Sequence, residues 1–122
     1  MTTLEVGKKL VELCKQGKTQ EVKETLYSQD ICSVEAGAPA GQDRASYALK
    51  AVEAKGKWWA DNHIIHSAVT EGPWPHDDRF IVKFVYDVTN KPSNRRFTMD
   101  EMGLFTVQNG KIVKEEFFYS MG

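Results

Sequence analysis

The sequence predicts an α+β fold in which three N-terminal helices pack on one face of a curved antiparallel sheet and enclose an internal pocket. Three observations support this prediction. Apolar residues recur at helical spacing up to Trp59, the period changes to two from Asn62 onward, and an Asn-Gly turn joins the last two apolar-rich segments. Helices that precede a run of strands are typical of this fold class.

The first helix is predicted over residues 3–16. Thr2 and Glu5 have the spacing of a capping box, in which each side chain satisfies a free backbone N–H group of the first turn. A second, shorter helix begins at Thr19 and ends near residues 28–30. The chain is therefore expected to open with two helices.

A short β-rich segment, residues 31–36, separates the second helix from the third. It is followed at residues 37–41 by a loop that contains two glycines and one proline. The third helix is predicted to begin at Asp43, whose carboxylate is a good N-cap, and to end near Trp59. Its buried stripe is predicted to contain Ala45, Ala48, Leu49 and Val52.

Alternation of side chains predicts strands in the second half of the chain. One strand begins near Asn62 and ends before a proline-rich connection, residues 71–78. A stronger strand covers residues 79–89, and residues 90–94 form a turn. With the final hairpin, these segments predict a four-stranded antiparallel meander.

The final hairpin, residues 96–119, turns at Asn109-Gly110, because both residues tolerate a positive φ. Two registers are possible. A two-residue loop pairs Gln108 with Lys111, whereas a three-residue loop with a bulge at Gly110 pairs Val107 with Lys111. The registers differ by one residue, and such a shift moves every side chain of the last strand to the other face.

Length and charge limit the classes of function. The 122 residues predict a single domain over residues 1–122, and the net charge of −1 provides no positive field for nucleic acid or an anionic membrane. Cys14 and Cys32 lack the spacing of a metal site and suggest thiols in a reducing compartment. No signal peptide, membrane span, metal cluster or cofactor motif is recognisable, so we expect a cytoplasmic protein without a cofactor.

The order of elements and three local patterns resemble the nuclear transport factor 2-like superfamily and, within it, its SnoaL-like branch. The patterns are AGQDRA at residues 40–45, FTVQNGKI at residues 105–112 and EFFY at residues 116–119. The resemblance covers essentially the whole chain. It implies a cone with a deep apolar pocket at its wide end and a homodimer formed through the outer face of the sheet. The superfamily contains isomerases, cyclases, dehydratases, epoxide hydrolases and non-catalytic binding domains, so the resemblance implies no single activity.

The resemblance favours the register with a bulge at Gly110. Similar folds place one set of hairpin side chains inward, and they correspond here to Phe105, Val113, Phe117 and Tyr119. The opposite face then carries Asp100, Met102, Leu104, Thr106, Ile112, Lys114, Glu116 and Phe118, a mixed surface that suits a dimer contact.

In the favoured register Glu101 points inward, opposite Phe117 and near Tyr119. Desolvation by aromatic neighbours raises the pKa of a carboxyl group, and a raised pKa suits a general acid or base near neutral pH. The alternative is a structural carboxylate bonded to a loop or to Arg95 or Arg96. The second inward carboxylate, Glu115, is expected nearer the turn, with Lys111 or Arg96 as its partner.

The catalytic candidates are Glu101, Tyr119 and His63. The ligand-binding candidates are the polar and aromatic side chains expected near the pocket, namely Tyr27, Glu35, Trp58, Trp59, Phe84, Tyr86, Phe105 and Phe117. For each candidate the alternative is a structural role in the core or at the surface. One of the adjacent Trp58 and Trp59 is expected to cover the pocket mouth and the other to fill core or interface.

Two functional hypotheses follow. The first is a cofactor-free acid–base enzyme of the cyclase or isomerase type that acts on a small, largely apolar carbonyl compound. The second is a non-catalytic ligand-binding or dimerisation domain. In the ketosteroid isomerase relatives an Asp of the penultimate strand donates to an oxyanion, and the nearest position here is similar to Gly103, so that particular chemistry is not implied.

Overall fold

The structure is a computed structural model that describes residues 1–120. Three helices and one six-stranded sheet form a curved α+β cone, and the predicted fold class is confirmed. The elements are α1 (Thr3–Lys15), α2 (Thr19–Thr25), β1 (Tyr27–Val34), β2 (Ala45–Tyr47), α3 (Leu49–Asn62), β3 (His63–His76), β4 (Arg79–Asn90), β5 (Arg95–Gln108) and β6 (Lys111–Phe118). The strand order is β2-β1-β6-β5-β4-β3, with β1 parallel to β6 and every other pair antiparallel.

The predicted start of α1 is confirmed in detail. Glu5 N–H donates to Thr2 Oγ1 at 3.2 Å, and Thr2 N–H donates to Glu5 Oε1 at 3.0 Å, which is a complete capping box. The predicted end of α2 is wrong, because the helix stops at Thr25 and Tyr27 already pairs with Ile112 of β6. Sheet pairing outweighs the local helical pattern here.

The predicted start of α3 is also wrong. Asp43 Oδ1 accepts from Ala45 N–H at 3.0 Å in a local turn, and Ala45 to Tyr47 form β2 beside β1. The helix begins only at Leu49, after Ala48 with a φ of 74°. A short polar side chain that bonds to the backbone two residues later favours a turn over a helix start.

The strand β3 is longer than predicted. It passes through the segment that was expected to be a loop and ends at His76, so the turn to β4 is only Asp77-Asp78. An irregularity between Glu71 and Trp74 accommodates Pro73, because proline cannot donate a ladder hydrogen bond. The four-stranded meander therefore has longer arms than predicted, and β1 and β2 extend it to six strands.

The core lies between the helices and the concave face of the sheet. Val6 and Leu10 of α1 pack towards Phe80 and Phe105, whose rings stack 5.0 Å apart. A Cβ atom at Gly7 would lie 2.9 Å from Pro73 Cβ, so a glycine is needed where α1 crosses β3. This packing places the concave face of β4, β5 and β6 under the helices.

The register of the last hairpin combines the two predicted alternatives. The turn has a two-residue loop, with φ values of 52° at Asn109 and 75° at Gly110, and Gln108 pairs with Lys111. The bulge follows beyond the turn, because Val107 pairs with Ile112 but Thr106 pairs with Lys114. The bulge predicted at Gly110 is thus wrong in position.

Two corrections follow from this register. Gly103, not Glu101, lies opposite Phe117, and Ile112 faces the core although the favoured register placed it outside. The two-residue loop shifts the last strand by one residue relative to the favoured register, and the bulge after Ile112 shifts it by one residue again. Beyond the bulge Phe105, Glu115 and Phe117 therefore share the inner face, as the favoured register had it.

Candidate functional site

A chain of polar side chains lies inside the cone, and we call it the interior network. Its middle member is Lys55 of α3, three residues after the buried Val52 and therefore on the face that α3 presents to the sheet. Lys55 Nζ donates to Ser33 Oγ at 2.7 Å and to Glu35 Oε1 at 2.7 Å. The whole interior network comprises Tyr27, Ser33, Glu35, Lys55, Glu115 and Tyr119.

Glu115 is the most deeply placed carboxylate, with 3% of its surface exposed. The parallel pairing of β1 with β6 puts Ser33 directly beside it, and Ser33 Oγ donates to Glu115 Oε2 at 2.7 Å. The Tyr27 hydroxyl donates to Glu115 Oε1. Burial raises the pKa of Glu115, although these two donors and Lys55 act in the opposite direction. The expected partners of Glu115 were wrong, since Lys111 donates to the Thr25 carbonyl and Arg96 to Asp87.

The outer end of the network is formed by Glu35 and Tyr119. Glu35 follows β1, and its Oε2 accepts from the Tyr119 hydroxyl at 2.9 Å. Burial, followed by the charge of Glu35, raises the pKa of Tyr119 to about 12. Lys55 and Glu35 are partly open to solvent, with side-chain exposures of 30% and 28%. This end of the network is therefore partly accessible to solvent.

Glu101 lies beside the interior network without joining it. It pairs with Phe84 across β4 and β5, so it points to the concave face, as predicted. Within residues 1–120 its carboxylate makes no hydrogen bond or ion pair, and Arg96 is bonded to Asp87 instead. Burial, followed by the charges of Glu35 and Glu115 and opposed by Lys55, raises the pKa of Glu101 to about 7.

Tyr86, whose hydroxyl is close enough to Glu101 to feel its charge, is a second polar group without a hydrogen-bond partner among the described residues. Its ring stacks on Phe84 at 6.1 Å and lies 6.3 Å from the ring of Trp59. Burial raises the pKa of Tyr86, and the charge of Glu101 adds to that effect. A neutral phenol beside an unpaired carboxyl is a hydrogen-bond donor available to a ligand oxygen.

The structure separates His63 from the carboxylates. Its Nδ1 donates to the Trp59 carbonyl at 2.8 Å, and its Nε2 accepts from Asn90 Nδ2 at 3.2 Å. Its ring also stacks on Trp59 at 4.3 Å. Trp58 is 63% exposed on the outer side of α3. The candidates that are brought together are Glu101, Tyr119, Glu35, Tyr27, Phe84, Tyr86, Phe105 and Phe117.

Sequence reasoning missed Ser33 and Lys55 and assigned Glu115 the wrong surroundings. One signal for Lys55 was present, since it interrupts an apolar helical stripe between Val52 and Trp59. The signal for Glu115 was its alternation with Phe117 on the last strand. Nothing local marks Ser33, because its partners Lys55 and Glu115 lie 22 and 82 residues away.

We predict that Glu101→Gln makes the protein more stable at pH 8 and leaves its stability almost unchanged at pH 4. The folded-state pKa of about 7 lies above the value of 4.5 for a free glutamate, so the stability that protonated Glu101 contributes is present below pH 4.5 and is lost as the pH rises from 4.5 through 7. The gain at pH 8 should be about 1–3 kcal/mol in the free energy of unfolding, measured by urea denaturation.

The control for this experiment is Glu21→Gln on the exposed surface of α2. We expect it to change the free energy of unfolding by less than about 0.5 kcal/mol at either pH. A difference between Glu101→Gln and the wild type that stays constant from pH 4 to pH 8 would contradict the prediction.

Two surface grooves lie away from these residues. One, of about 230 Å³, is lined by α1 and by Gly72 and Pro73, and the other, of about 450 Å³, lies along α1 and the start of α2. Neither includes Glu101 or the interior network, so the deep apolar pocket stays a prediction. Among residues 1–120, no group of three His, Cys, Asp or Glu side chains is arranged to hold a metal ion. Within the same range, none of the helices has the length and apolar character needed to cross a bilayer.

The chain matches the family model described as a SnoaL-like domain over residues 1–119. No curated protein sequence matches it. A crystal structure of a candidate SnoaL-like polyketide cyclase from Mesorhizobium loti is 42% identical, with a TM-score of 0.91, and the match covers 98% of this chain and 100% of that chain.

More distant structures share the fold alone. A candidate isomerase from Bacillus subtilis has a TM-score of 0.79 at 14% identity, with coverage of 98% of this chain and 90% of that chain. A protein of unknown function with a cystatin-like fold from Xanthomonas campestris has a TM-score of 0.78 at 14% identity, with coverage of 98% and 92%. The family model and the Mesorhizobium loti relative together show that the chain belongs to the SnoaL-like domain family, within the nuclear transport factor 2-like fold.

Proposed function

We propose that the protein binds a small, largely apolar carbonyl compound and moves a proton on it through Glu101 without a cofactor. The observation that carries this proposal is the unpaired, half-buried carboxyl of Glu101, whose pKa of about 7 lies near neutral pH. A group with that pKa is present in both protonation states and can accept a proton and return it.

The chemistry needs only this chain's side chains and the substrate. The ionised Glu101 accepts a proton from the carbon next to the carbonyl, and the electron pair of that C–H bond forms an enolate. The Tyr86 hydroxyl stabilises the negative oxygen by a hydrogen bond. Protonated Glu101 then returns the proton to carbon, which is an isomerisation or exchange. Alternatively the enolate carbon attacks a second carbonyl carbon of the same molecule, the π electron pair of that carbonyl moves to its oxygen, and Glu101 gives its proton to the resulting alkoxide, which is a cyclisation. The Mesorhizobium loti relative, which is described as a candidate polyketide cyclase, supports this class of reaction.

The charges around Glu101 favour a neutral substrate. Three carboxyl groups, those of Glu35, Glu101 and Glu115, surround the single cation Lys55. Lys55 already donates to two oxygen atoms. An anionic ligand beside these carboxyl groups would meet repulsion, and residues 1–120 place no unpaired cation next to Glu101 to offset it.

A non-catalytic ligand-binding or dimerisation domain is the second candidate, and the outer face of the sheet favours it. Trp74, Ile81 and Phe118 are exposed there, and Trp74 pairs with Ile81, which in turn pairs with Leu104. A contiguous apolar patch of this kind suits a contact between two copies of the chain. We therefore propose a homodimer formed through this face, whichever function the concave side has.

The cytoplasm remains our proposed location. Cys14 and Cys32 are free thiols, which suits the reducing compartment expected from the sequence.

The test of the proposed function is hydrogen–deuterium exchange. Small neutral ketones and diketones are incubated with the protein in D₂O, and loss of the proton signal next to the carbonyl is followed by NMR. We expect at least one compound to exchange well above the rate in buffer, faster at pH 8 than at pH 5. Exchange at the buffer rate for every compound that binds would rule out the catalytic proposal and favour the binding domain.

A further inference from the structure

The interior network is an unbranched chain of hydrogen bonds with Lys55 at its centre. The inner arm leads through Ser33 to Glu115 and Tyr27, and the outer arm leads to Glu35 and Tyr119. Each of these bonds joins side chains at least 20 residues apart in the chain. What the network does depends on which atom of each pair holds the proton.

In the inner arm, the chemistry of Lys55 decides which atom donates in each hydrogen bond. A lysine ammonium group carries only donors, so Ser33 Oγ must accept from Lys55. The serine hydroxyl has a single proton, and the other oxygen within reach is Glu115 Oε2 at 2.7 Å. Ser33 therefore donates to Glu115, and this oxygen of Glu115 is an acceptor.

In the outer arm, Lys55 decides the donors and acceptors in the same way. Glu35 Oε1 accepts from Lys55 Nζ at 2.7 Å, since the ammonium group carries only donors. Its Oε2 then accepts from the Tyr119 hydroxyl at 2.9 Å. The single proton of Tyr119 is committed to Glu35, so Tyr119 faces a ligand as an acceptor rather than as a donor.

We propose that Lys55 is a positioning residue: its two hydrogen bonds set the direction of the whole interior network, hold Glu35 and Glu115 as acceptors and leave Glu101 as the one carboxyl that exchanges a proton with a ligand. This inference rests on the proposed function for the role of Glu101. It revises the role predicted for Tyr119, because Tyr86 becomes the donor to the ligand oxygen.

Several titratable groups face Glu101 and have to be followed with it. Glu35 comes from the end of β1, Lys55 from α3 and Tyr86 from β4, and Glu115 and Tyr119 come from β6 and the segment after it. Tyr27 of β1 and Cys14 of α1 complete the set, because they act on Glu115 and Tyr86. Lys55 is the only cation among them, so its removal changes the electrostatic balance at Glu101 directly.

The test is an NMR titration that needs no substrate. Protein labelled with ¹³C at the glutamate carboxyl carbon is titrated from pH 4 to pH 9, and signals are assigned with Glu35→Gln, Glu101→Gln and Glu115→Gln. In Lys55→Met we expect the midpoint of Glu101 to rise by about one pH unit, because a neighbouring positive charge is lost. Lys57→Met is the matched control, since Lys57 lies on the exposed side of α3 and pairs with Asp61. It should leave the midpoint of Glu101 in place.

A second variant breaks the network without removing a charge. Ser33→Ala removes one of the two donors to Glu115, so the midpoint of Glu115 should rise while that of Glu101 moves less than in Lys55→Met. Ser33→Ala decides the question if Lys55→Met does not fold. A folded Lys55→Met with an unchanged Glu101 midpoint, or a Ser33→Ala with an unchanged Glu115 midpoint, overturns the inference.

The NMR titration and the deuterium exchange experiment can fail independently of each other. Shifted midpoints without any deuterium exchange would support the positioning role of Lys55 and remove the proposed catalysis. Exchange that depends on Glu101, together with unshifted midpoints, would support the catalysis and overturn the role of Lys55.

Discussion

Replacing Glu101 with glutamine is expected to lower the rate of proton transfer by about 10²–10⁴-fold, the usual contribution of one positioned acid or base. Glutamine has nearly the same shape, so the fold and the contact with Phe84 should remain. It cannot accept a proton at neutral pH, which is the step that the proposed chemistry needs. The measurement is the rate of deuterium exchange into the ketone that the wild-type protein exchanges fastest.

The matched control is Glu116→Gln. Glu116 lies on the neighbouring strand but on the outer face, where it pairs with Leu104 across the sheet and forms an ion pair with Lys114. This variant should retain the wild-type exchange rate. Equal rates for Glu101→Gln and the wild type would show that another group transfers the proton, and the role of Glu101 would have to be abandoned.

Replacing Phe105 with alanine is expected to lower the free energy of unfolding by about 3–5 kcal/mol. Its side chain is 1% exposed and contacts three other rings of the core. Its ring stacks on that of Phe80 with the centroids 5.0 Å apart, and it forms edge-to-face contacts with Phe84 and Phe117 at centroid distances of 6.4 Å and 6.2 Å. The substitution removes buried apolar area and leaves a cavity that the sheet cannot close by relaxing. Since single domains are stable by only about 5–15 kcal/mol, this is a large share of the total.

Urea denaturation at pH 5 and pH 8 measures this loss, with Tyr47→Ala as the control. Tyr47 lies on the edge strand β2 and is 65% exposed, so its replacement should cost less than about 1 kcal/mol. Similar losses for the two variants would mean that the aromatic cluster around Phe105 is not the packed centre of the domain.

Local patterns were sufficient for most of the fold. The capping box at Thr2 and Glu5 predicts the start of α1, and the Asn109-Gly110 dipeptide predicts the last turn, because both signals act within a few residues. They failed where distant segments compete for the backbone. Tyr27 and Ala45 are strand residues only because β1 and β6 are available to pair with them.

The prediction of Glu101 as an inward carboxyl was right in direction, although the register that led to it was not. The bulge lies after Ile112 instead of at Gly110, and the two-residue loop compensates for the difference. Register depends on the sum of pairings along the strand, which a turn sequence determines only at its own end. The inward direction of Glu101 therefore survived an incorrect local detail.

The sequence by itself determined the fold class, the helices and strands with strong periodicity, and the inward position of Glu101. Only the tertiary structure decided what surrounds that carboxyl. The parallel pairing of β1 with β6 brings Ser33 to Glu115, and the packing of α3 brings Lys55 to both Ser33 and Glu35. The physical reason is that hydrogen bonds between side chains far apart in the chain leave no periodic trace in the sequence. They depend on distances and directions that exist only after the sheet and the helices have packed together.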